Sequence, residues 1–311
     1  MKPLILMPVY NDWDSVRALL TQLDAALPEP ATVLLVDDGS TEPRPAAFPA
    51  GARVSGVEVL RLRRNLGHQR AIAVGLSYLA AERDAEPIVV MDADGEDRPE
   101  DVGRLLRAFR EASRQRVVFA ARMRRSENLL FRVCYHTYRL LHWLLTGIPV
   151  RVGNFSVLSR DHLAALTVMP DLWNHYAASV LKSKLPVAMV PTTRARRLAG
   201  QSKLNFVGMV VHGLSAISVF TELVAVRLSL ATLLFLGALA ALLATTFGVA
   251  VSDQFTLPDW TALTIGLLLV LVVQVLTVAL GFTLWILFNR NSLSFLPIRD
   301  YRFFVRDITP A

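Results

Sequence analysis

Cysteine is nearly absent from this sequence, because Cys134 is the single one among 311 residues. An internal disulfide needs two thiols and a cysteine-based zinc site needs several, so the sequence excludes both. A long N-terminal apolar run is also missing, since only residues 4–7 separate Lys2 and Pro3 from Pro8. That run is too short for the hydrophobic region of a secretory signal peptide. We therefore expect the first part of the chain to stay in the cytoplasm.

Charge is absent from two long segments of the C-terminal third, residues 228–251 and 261–288. Each is longer than the ~20 residues that a helix needs to cross the hydrocarbon core of a bilayer. The chain as a whole is apolar, with 53% hydrophobic residues and a mean hydropathy of +0.41. Two buried helices of a large soluble core are the alternative, but such long charge-free runs are rare outside lipid. The sequence therefore predicts two transmembrane helices within residues 227–288.

Lysine and arginine are missing from the loop between these segments, residues 252–260, which contains Asp253 and Asp259. Arginines flank the outer ends of the pair, at positions 227, 290, 299, 302 and 306. Cytoplasmic loops carry the excess of positive residues in membrane proteins. We therefore expect both termini on the cytoplasmic side of the inner (plasma) membrane, with residues 289–311 as a cytoplasmic tail.

Two further apolar stretches with helical spacing, residues 129–145 and 204–226, are interrupted by arginine, histidine and glutamate. They suit helices that lie in the membrane interface, with their cations near lipid headgroups. Packing as ordinary core helices explains them equally well, and the sequence leaves both readings open. Our domain prediction places an interfacial helix at about residues 127–146 and a juxtamembrane amphipathic helix at 204–226.

The N-terminal part alternates short apolar runs with helical patterns. The runs cover residues 4–9, 32–36, 57–62, 87–91 and 116–121, and the helical patterns cover 13–27, 69–83 and 99–112. Such alternation predicts an α/β domain in which helices cover a mostly parallel sheet. We place this cytoplasmic domain at residues 1–203.

A polar cluster follows each of the first four predicted strands. The carboxyl ends of parallel strands lie at one edge of an open sheet, where ligands bind, so we expect the clusters to meet in one crevice, joined by Arg122 after the fifth strand. The four clusters are Pro8-Val9-Tyr10-Asn11, Asp37-Asp38-Gly39-Ser40, Asn65-Leu66-Gly67-His68-Gln69 and Asp92-Ala93-Asp94-Gly95-Glu96.

The residue types in these clusters suit a nucleotide sugar. Asp92, Asp94 and Glu96 offer hard oxygen ligands for Mg²⁺ or Mn²⁺, which would neutralise charge on a departing diphosphate. Asp37 or Asp38 can accept hydrogen bonds from a base or a ribose. Each cluster alone is more often a plain turn or a helix cap. Their ordered recurrence after consecutive strands favours the functional reading.

These four clusters resemble the motifs of glycosyltransferase family 2. Three later segments resemble its polyprenyl-phosphate branch, which includes dolichyl-phosphate mannose synthase and bactoprenol glucosyltransferase: residues 197–203, 212–214 and 218–220. The resemblance implies a Rossmann-like fold of the GT-A type. It also implies inverting, metal-dependent transfer of a sugar from a UDP- or GDP-sugar to a polyprenyl phosphate at the membrane.

Site roles follow from the same resemblance. The nucleotide-binding set is Pro8, Tyr10, Asn11, Asp37, Asp38, His68, Gln69, Asp92 and Ala93, and the metal set is Asp92, Asp94 and Glu96. The set for the lipid phosphate is Arg132, Arg197, Ser202 and Lys203, and the catalytic set is Asp94, Asn154 and Arg122. For the cations Arg197 and Lys203, the alternative is that they only anchor the chain at the headgroups.

One segment departs from the family. Where the family has Gly-Asp-Phe-Arg-Leu, with the aspartate suggested as catalytic base, this chain has Gly153-Asn154-Phe155-Ser156-Val157. An amide cannot take up a proton as a carboxylate does. A phosphate monoester, with a second pKa of about 6, is already largely ionised at neutral pH and needs little base. Asn154 therefore favours a lipid phosphate over a sugar hydroxyl as acceptor.

Three alternatives remain to be weighed. A processive polysaccharide synthase of the same fold predicts a Gln-x-x-Arg-Trp motif and a larger membrane channel, and the sequence has neither. A non-catalytic nucleotide- or lipid-binding scaffold is disfavoured by the retention of Asp92, Asp94 and Arg197. The net charge of +7 and pI near 10.0 could indicate nucleic-acid binding, but no basic stripe interleaved with aromatics is present. The chain could also form a homo-oligomer.

Overall fold

The computed structural model describes residues 2–49, 51–122, 129–149, 152–200, 206–251, 260–290 and 295–310. The chain divides into two compact units. The first comprises residues 1–138, 149–219 and 294–311, and the second comprises residues 139–148 and 220–293.

The first unit is built on one sheet of eight strands in the described residues, in the order β7-β5-β6-β4-β1-β2-β3-β8. The strands are β1 Leu4–Val9, β2 Ala31–Asp37, β3 Val54–Leu62, β4 Ile88–Val90, β5 Val117–Arg122, β6 Val152–Leu158, β7 Val187–Thr192 and β8 Val305–Pro310. Strands β1 to β4 are parallel, and β5 and β7 run in the same direction. Only β6 and β8 are antiparallel to their neighbours in this sheet.

Helices cover both faces of the sheet, which is why the central strands are apolar on both sides. One face packs against α1 Trp13–Ala26 and α3 Pro99–Glu111. The other packs against α2 His68–Glu82, α5 Arg160–Thr167 and α6 Tyr176–Lys182. All six residues of β1 are buried. The predicted α/β architecture, with a mostly parallel sheet, is confirmed.

The C-terminal tail is folded onto this sheet. After α10 Pro297–Asp300 and a short 3-10 helix at Tyr301–Phe303, strand β8 pairs antiparallel with β3. The Arg61 guanidinium donates two hydrogen bonds to Asp307, at 2.8 and 2.6 Å. Trp173 packs against Phe295 and Phe304, with ring centroids 4.3 and 4.9 Å apart. Strand β8 thus covers the edge of β3, which a flexible tail would leave open.

Helix α7, Phe206–Ser218, belongs to the first unit. Its Gly213 lies against the Tyr138 ring, where a Cβ would come within 2.9 Å of a ring carbon. Another side of this helix carries an exposed apolar stripe at helical spacing, formed by Val207, Val210, Val211 and Leu214. The helix therefore has one packed side and one apolar side without cover in this unit. It ends at Ser218, before the predicted boundary at residue 226.

The second unit contains two long apolar helices, α8 Thr221–Val251 and α9 Trp260–Arg290, together with the end of α4 Leu129–Thr146. Segments Thr221–Thr246 and Leu263–Trp285 are long and apolar enough to cross a membrane. Their apolar side chains are mostly exposed, for example Leu234 at 76% and Val278 at 71%. Helices of a soluble core would bury these side chains, so the exposure favours the membrane interpretation. Arg227 donates to the Leu144 carbonyl, 2.9 Å away, at the end of α4.

Candidate active site

The four polar clusters meet at the carboxyl edge of the parallel strands, as predicted. Hydrogen bonds join each cluster to the next. The Asp38 amide donates to Val9 O at 2.8 Å, and the Asp38 carboxylate accepts from Leu66 N at 2.7 Å. His68 Nε2 lies 3.1 Å from Asp92 Oδ1. The clusters therefore form one connected site, because parallel strands bring their carboxyl ends to the same edge.

Asn11 shapes the first loop of the site. It adopts a left-handed backbone conformation, with φ of 48°, which asparagine tolerates better than most residues. Its backbone N–H donates to Ser40 Oγ at 2.9 Å, and its side-chain oxygen accepts from the amides of Thr41 and Glu42. Asn11 thereby ties the β1 loop to the β2 loop.

The neighbours Asp37 and Asp38 have different surroundings. Asp37 Oδ1 accepts from the Ser40 amide at 2.8 Å, and the residue lines a cavity of about 150 Å³. Asp38 points the other way, and its two oxygens accept from the amides of Leu66 and Gly67 at 2.7 and 2.9 Å. Burial raises the pKa of Asp38 to about 6, although these amides oppose the shift. In this geometry Asp37 faces the cavity, and Asp38 supports the loop that precedes α2.

Glycine is required at position 39. It adopts a φ of 72°, and a Cβ there would lie 2.6 Å from the backbone carbon of Arg64. A side chain would therefore be strained by its own backbone and would collide with the β3 loop. The close approach lets the β2 and β3 loops share one wall of the site.

Arginines dominate the cavity beside Asp37. Its remaining lining residues are Gly39, Ser40, Arg61, Leu62, Arg63, Arg64 and Arg306. Arg306 comes from β8, so the segment that follows the two apolar helices reaches the nucleotide side of the predicted site. A larger cavity of about 460 Å³ between α2 and the C-terminal tail is lined by Tyr78, Glu82 and Arg302 among others, and it is remote from the four clusters.

Asp92 and Asp94 lie on the turn after β4. The Asp92 amide donates to Asp97 Oδ2 at 3.1 Å, and the Glu96 amide donates to Asp94 Oδ1 at 3.0 Å. Burial and the nearby Asp92 carboxylate raise the pKa of Asp94 to about 6, while the guanidinium of Arg197 opposes the shift. The two carboxylates therefore repel each other, and a cation between them would relieve the repulsion.

Glu96 does not join the carboxylates of Asp92 and Asp94, because it forms an ion pair of its own. Its carboxylate forms an ion pair with Arg194, a residue that the sequence analysis did not single out. Across the described ranges, no three His, Cys, Asp or Glu side chains are grouped closely enough to hold a metal. The structure thus brings Asp92 and Asp94 together but does not turn Glu96 toward them, and the metal assignment stays a prediction.

The segment 194–199, predicted in part to bind the lipid phosphate, lies against the Asp92-Asp94 turn. The Leu198 amide donates to Asp94 O at 3.0 Å, and the Ala195 amide donates to Glu96 O at 2.9 Å. A Cβ on Gly95 would come within 2.4 Å of the Leu198 side chain. The contact explains why glycine occupies position 95.

The Arg197 side chain is mostly covered where the segment 194–199 lies against the Asp92-Asp94 turn. It forms ion pairs with Asp12 and with Asp94, the latter at 3.3 Å, and its side chain is 20% exposed. A cation that only anchors the chain at lipid headgroups would extend into the interface, so the position of Arg197 disfavours that alternative for this residue. Asp12 is a site residue that the sequence analysis missed, although it directly follows the first motif.

Asn154 lies at the start of β6, at the same edge of the sheet because β6 is antiparallel to β4. Its Nδ2 lies 3.0 Å from His68 Nε2 and 3.4 Å from Asp92 Oδ1, and its Oδ1 accepts from Gln69 Nε2 at 3.1 Å. Partial desolvation lowers the pKa of His68, whose side chain is 42% exposed, but the carboxylates of Asp92, Asp94 and Asp38 outweigh it and raise that pKa above its ordinary value. At the position where the resemblance implies a catalytic base, this chain thus has an amide, and that amide is hydrogen-bonded to its neighbours.

The other predicted residues are placed as follows. Pro8 and Ala93 are buried, and Tyr10 is 38% exposed at the end of β1. The backbone of Arg122 ends β5, paired with Thr192 of β7. The side chains of Arg122 and Arg132, and all of Ser202 and Lys203, lie outside the described part of the chain.

Comparison with known proteins decides the family of this site. Residues 4–167, more than half of the chain, match the family described as glycosyl transferase family 2. The chain belongs to glycosyltransferase family 2. The matched region contains all four clusters and Asn154, so the family assignment rests on the residues that form the site.

The individual relatives are only distantly similar to this chain in sequence. The chain is 27% identical over 222 residues to undecaprenyl-phosphate 4-deoxy-4-formamido-L-arabinose transferase of Klebsiella pneumoniae. This alignment covers 66% of the chain and 63% of that protein. It is 26% identical over 227 residues to the uncharacterized glycosyltransferase YkcC of Bacillus subtilis, with 70% and 68% covered. The chain thus spans less than two thirds of the length of the Klebsiella relative.

A solved structure shares the fold. Glucosyl-3-phosphoglycerate synthase from Mycobacterium tuberculosis superposes with a TM-score of 0.52 at 16% identity, over 72% of this chain and 79% of that one. At this identity the likeness shows the fold alone, and it agrees with the predicted GT-A type.

Proposed function

We propose that this chain transfers a sugar from a nucleoside diphosphate sugar to a polyprenyl phosphate at a membrane. The observation that carries the proposal is the similarity, over 66% of the chain, to a transferase whose name specifies undecaprenyl phosphate as substrate. Two features support it: the family 2 site, and the two apolar helices, which are long enough to hold the chain in a bilayer.

The donor site fits a nucleoside diphosphate and a divalent cation such as Mg²⁺ or Mn²⁺. Asp37 and the surrounding arginines can pair with the donor and acceptor groups of a nucleobase or ribose. Asp92 and Asp94 would hold the cation, whose remaining ligands would be diphosphate oxygens and water. When bound, the cation would neutralise charge that develops on the leaving diphosphate. The mycobacterial structure of this fold is named as a complex with Mn²⁺ and UDP-glucose.

The reaction is an in-line displacement with inversion at the anomeric carbon. A phosphate oxygen of the lipid forms the new bond to this carbon. The bond to the donor diphosphate breaks, and its electron pair leaves with the diphosphate oxygen. The acceptor is already ionised, so no residue has to remove a proton. Arg197 and Lys203 are proposed to help hold the lipid phosphate, and Arg197 would then exchange one of its carboxylate partners for it.

The membrane part is proposed to be a helical hairpin with both ends in the cytoplasm. Strand β8 follows the hairpin in sequence and pairs with β3 of the sheet. If α8 and α9 each cross the bilayer, the chain must return to the side that holds the sheet. The arginines at 227, 290, 299, 302 and 306 indicate that this side is the cytoplasmic one.

A transfer assay tests the proposal. The purified full chain is incubated with Mg²⁺, a panel of UDP- and GDP-sugars, and a short polyprenyl phosphate. We expect a polyprenyl-phosphate-linked monosaccharide from one donor, with no product when the polyprenyl alcohol replaces the phosphate. Transfer to the alcohol, or to a carbohydrate but not to the phosphate, would contradict the proposed acceptor.

A further inference from the structure

The Arg197 guanidinium is held by groups on three sides. Its Nη2 forms an ion pair with the Asp12 carboxylate, and its Nη1 lies 3.3 Å from Asp94 Oδ2. Its Nε donates to the Ala199 carbonyl at 2.9 Å. The side chains of Arg197, Asp12 and Asp94 are 20%, 16% and 19% exposed. Two carboxylates, one at the start of α1 and one after β4, therefore share a single cation that is mostly covered.

The direction of the Asp12 side chain is unusual for its place in the chain. Helix α1 begins at Trp13, so Asp12 occupies the N-cap position, where an aspartate usually accepts a hydrogen bond from one of the first amides of the helix. Among the described residues, the Asp12 side chain makes no such capping bond, and its carboxylate pairs with Arg197 instead. Helix capping therefore does not account for the direction of this side chain, whereas the position of Arg197 does.

A divalent cation and Arg197 would meet at the same oxygen of Asp94. Oδ1 of this carboxylate accepts from the Glu96 amide at 3.0 Å, so Oδ2 is the oxygen better placed to bind a cation. Arg197 contacts Oδ2. A divalent cation and a guanidinium at one oxygen repel each other. Arg197 would therefore release Asp94 when the cation of the donor binds, while its bonds to Asp12 and Ala199 remain.

We propose that Asp12 is a positioning residue, which keeps Arg197 at the site when the donor and its cation occupy Asp94. The Nη1 group that leaves Asp94 then binds the acceptor phosphate. The inference rests on the proposed transfer and deepens it with an order of binding, in which the donor precedes the lipid. Two carboxylates neutralise Arg197 before this exchange and only one does afterwards, so its attraction for a phosphate increases at that point. By linkage, the cation and the acceptor phosphate strengthen each other's binding.

The exchange at Asp94 is tested first without any transfer reaction. The full chain is titrated with Mn²⁺ alone, and free Mn²⁺ is followed by electron paramagnetic resonance. Arg197→Gln removes the competing charge, so we expect the Kd for Mn²⁺ to fall about threefold or more. Arg17→Gln removes the same charge from an exposed position on α1 and should leave the Kd unchanged. If Arg197→Gln binds Mn²⁺ no more tightly than the wild type does, the proposal is wrong.

The role of Asp12 is tested by Asp12→Asn, which keeps the size of the side chain and removes its charge. We expect the KM for a short polyprenyl phosphate to rise about fivefold, the KM for the nucleotide sugar to change less, and Asp12→Glu to restore most of the loss. Asp14→Asn, the same change at an exposed position of α1, is the control.

A double-mutant cycle shows whether Asp12 acts through Arg197. In the Arg197→Gln background, Asp12→Asn should raise the KM for the lipid no further, because no guanidinium is left to hold. An effect of Asp12→Asn that persists in this background, or that falls mainly on the KM for the nucleotide sugar, would overturn the positioning role.

The two proposals fail in different ways. If the wild type transfers to polyprenyl phosphate and the variants do not respond as described, only the inference about Asp12 and Arg197 is lost. If the wild type does not use polyprenyl phosphate with any donor, the proposed function is lost, while the Mn²⁺ titration still decides whether Arg197 competes with a cation at Asp94.

Discussion

Asp94 shows how one residue can be costly for folding and still suit the proposed function. It lies beside Asp92 with its side chain 19% exposed, and its pKa is raised to about 6. A group whose charge is this unfavourable in the folded state is more often functional than structural. The guanidinium of Arg197, 3.3 Å from Asp94 Oδ2, is a partial counter-charge.

The first prediction concerns this carboxylate. Asp94→Asn keeps the size of the side chain but removes one charged ligand of the proposed cation, so transfer should fall by at least about a hundredfold. Removal of divalent cations with a chelator should abolish wild-type transfer, and added Mg²⁺ or Mn²⁺ should restore it. The exposed Asp14→Asn is the control and should keep full activity. Wild-type turnover in chelator would contradict the metal assignment.

Asp38 gives a prediction about stability. Its pKa is raised from 3.8 to about 6 in the folded protein, so the folded state binds a proton more tightly than the unfolded state between these values. The free energy of unfolding should therefore decrease as the pH rises through this interval, by up to about 2 kcal/mol from this group. Asp38→Asn should lack that component.

Denaturant unfolding of the wild type and of Asp38→Asn, measured from pH 4 to pH 7.5, tests this prediction. The variant also loses one acceptor for the amides of Leu66 and Gly67, which should cost about 1–3 kcal/mol near pH 4, where the wild-type carboxyl is protonated. Asp37→Asn is the neighbouring control, because no comparable amide pair depends on it. A pH dependence that is unchanged in Asp38→Asn would show that another group is responsible.

At the scale of elements, the strand β8 joins the C-terminal tail to the cavity beside Asp37. The Arg61 to Asp307 ion pair is about one-third exposed on both sides, so it should contribute no more than about 1 kcal/mol. Pairing with β3 and the packing of Phe304 on Trp173 are the more important links. The tail is therefore part of the folded domain.

The third prediction uses Arg306, the residue that β8 contributes to the cavity beside Asp37. Arg306→Ala should raise the KM for the nucleotide sugar about threefold, since an exposed cation contributes modestly, and should leave the KM for the lipid unchanged. Arg302→Ala, on the same tail but outside this cavity, is the control. An equal effect of the two variants on nucleotide binding would mean that Arg306 acts only on tail stability.

At the scale of the whole molecule, the fourth prediction is the orientation of the helical hairpin. After Cys134→Ser, single cysteines at Asp253 and at Arg302 should react with an impermeant maleimide from opposite sides of the membrane. We expect labelling at 253 only from outside and at 302 only from the cytoplasm. Labelling of both positions from the same side would show that α8 and α9 do not both cross the bilayer.

The sequence by itself determined the strands and helices, and the edge of the sheet at which the polar clusters meet. Runs such as residues 4–9 and 33–36 are apolar at every position, so they had to be buried on both faces, and this predicts parallel strands. The long charge-free runs near 228–251 and 261–288 predict membrane helices for the same reason, namely that apolar surface avoids water. Polar residues placed after consecutive strands then had to meet at one edge.

Only the tertiary structure decided which partner each polar group has. Asp37 faces a cavity while Asp38 binds two amides, yet their sequence contexts are alike. Arg197 is paired with Asp12 and Asp94, and Gln69 donates a hydrogen bond to Asn154 from 85 residues away. Hydrophobic periodicity is a local property that one segment carries alone. An ion pair or a hydrogen bond depends on two segments that the fold brings together, so no local pattern specifies it.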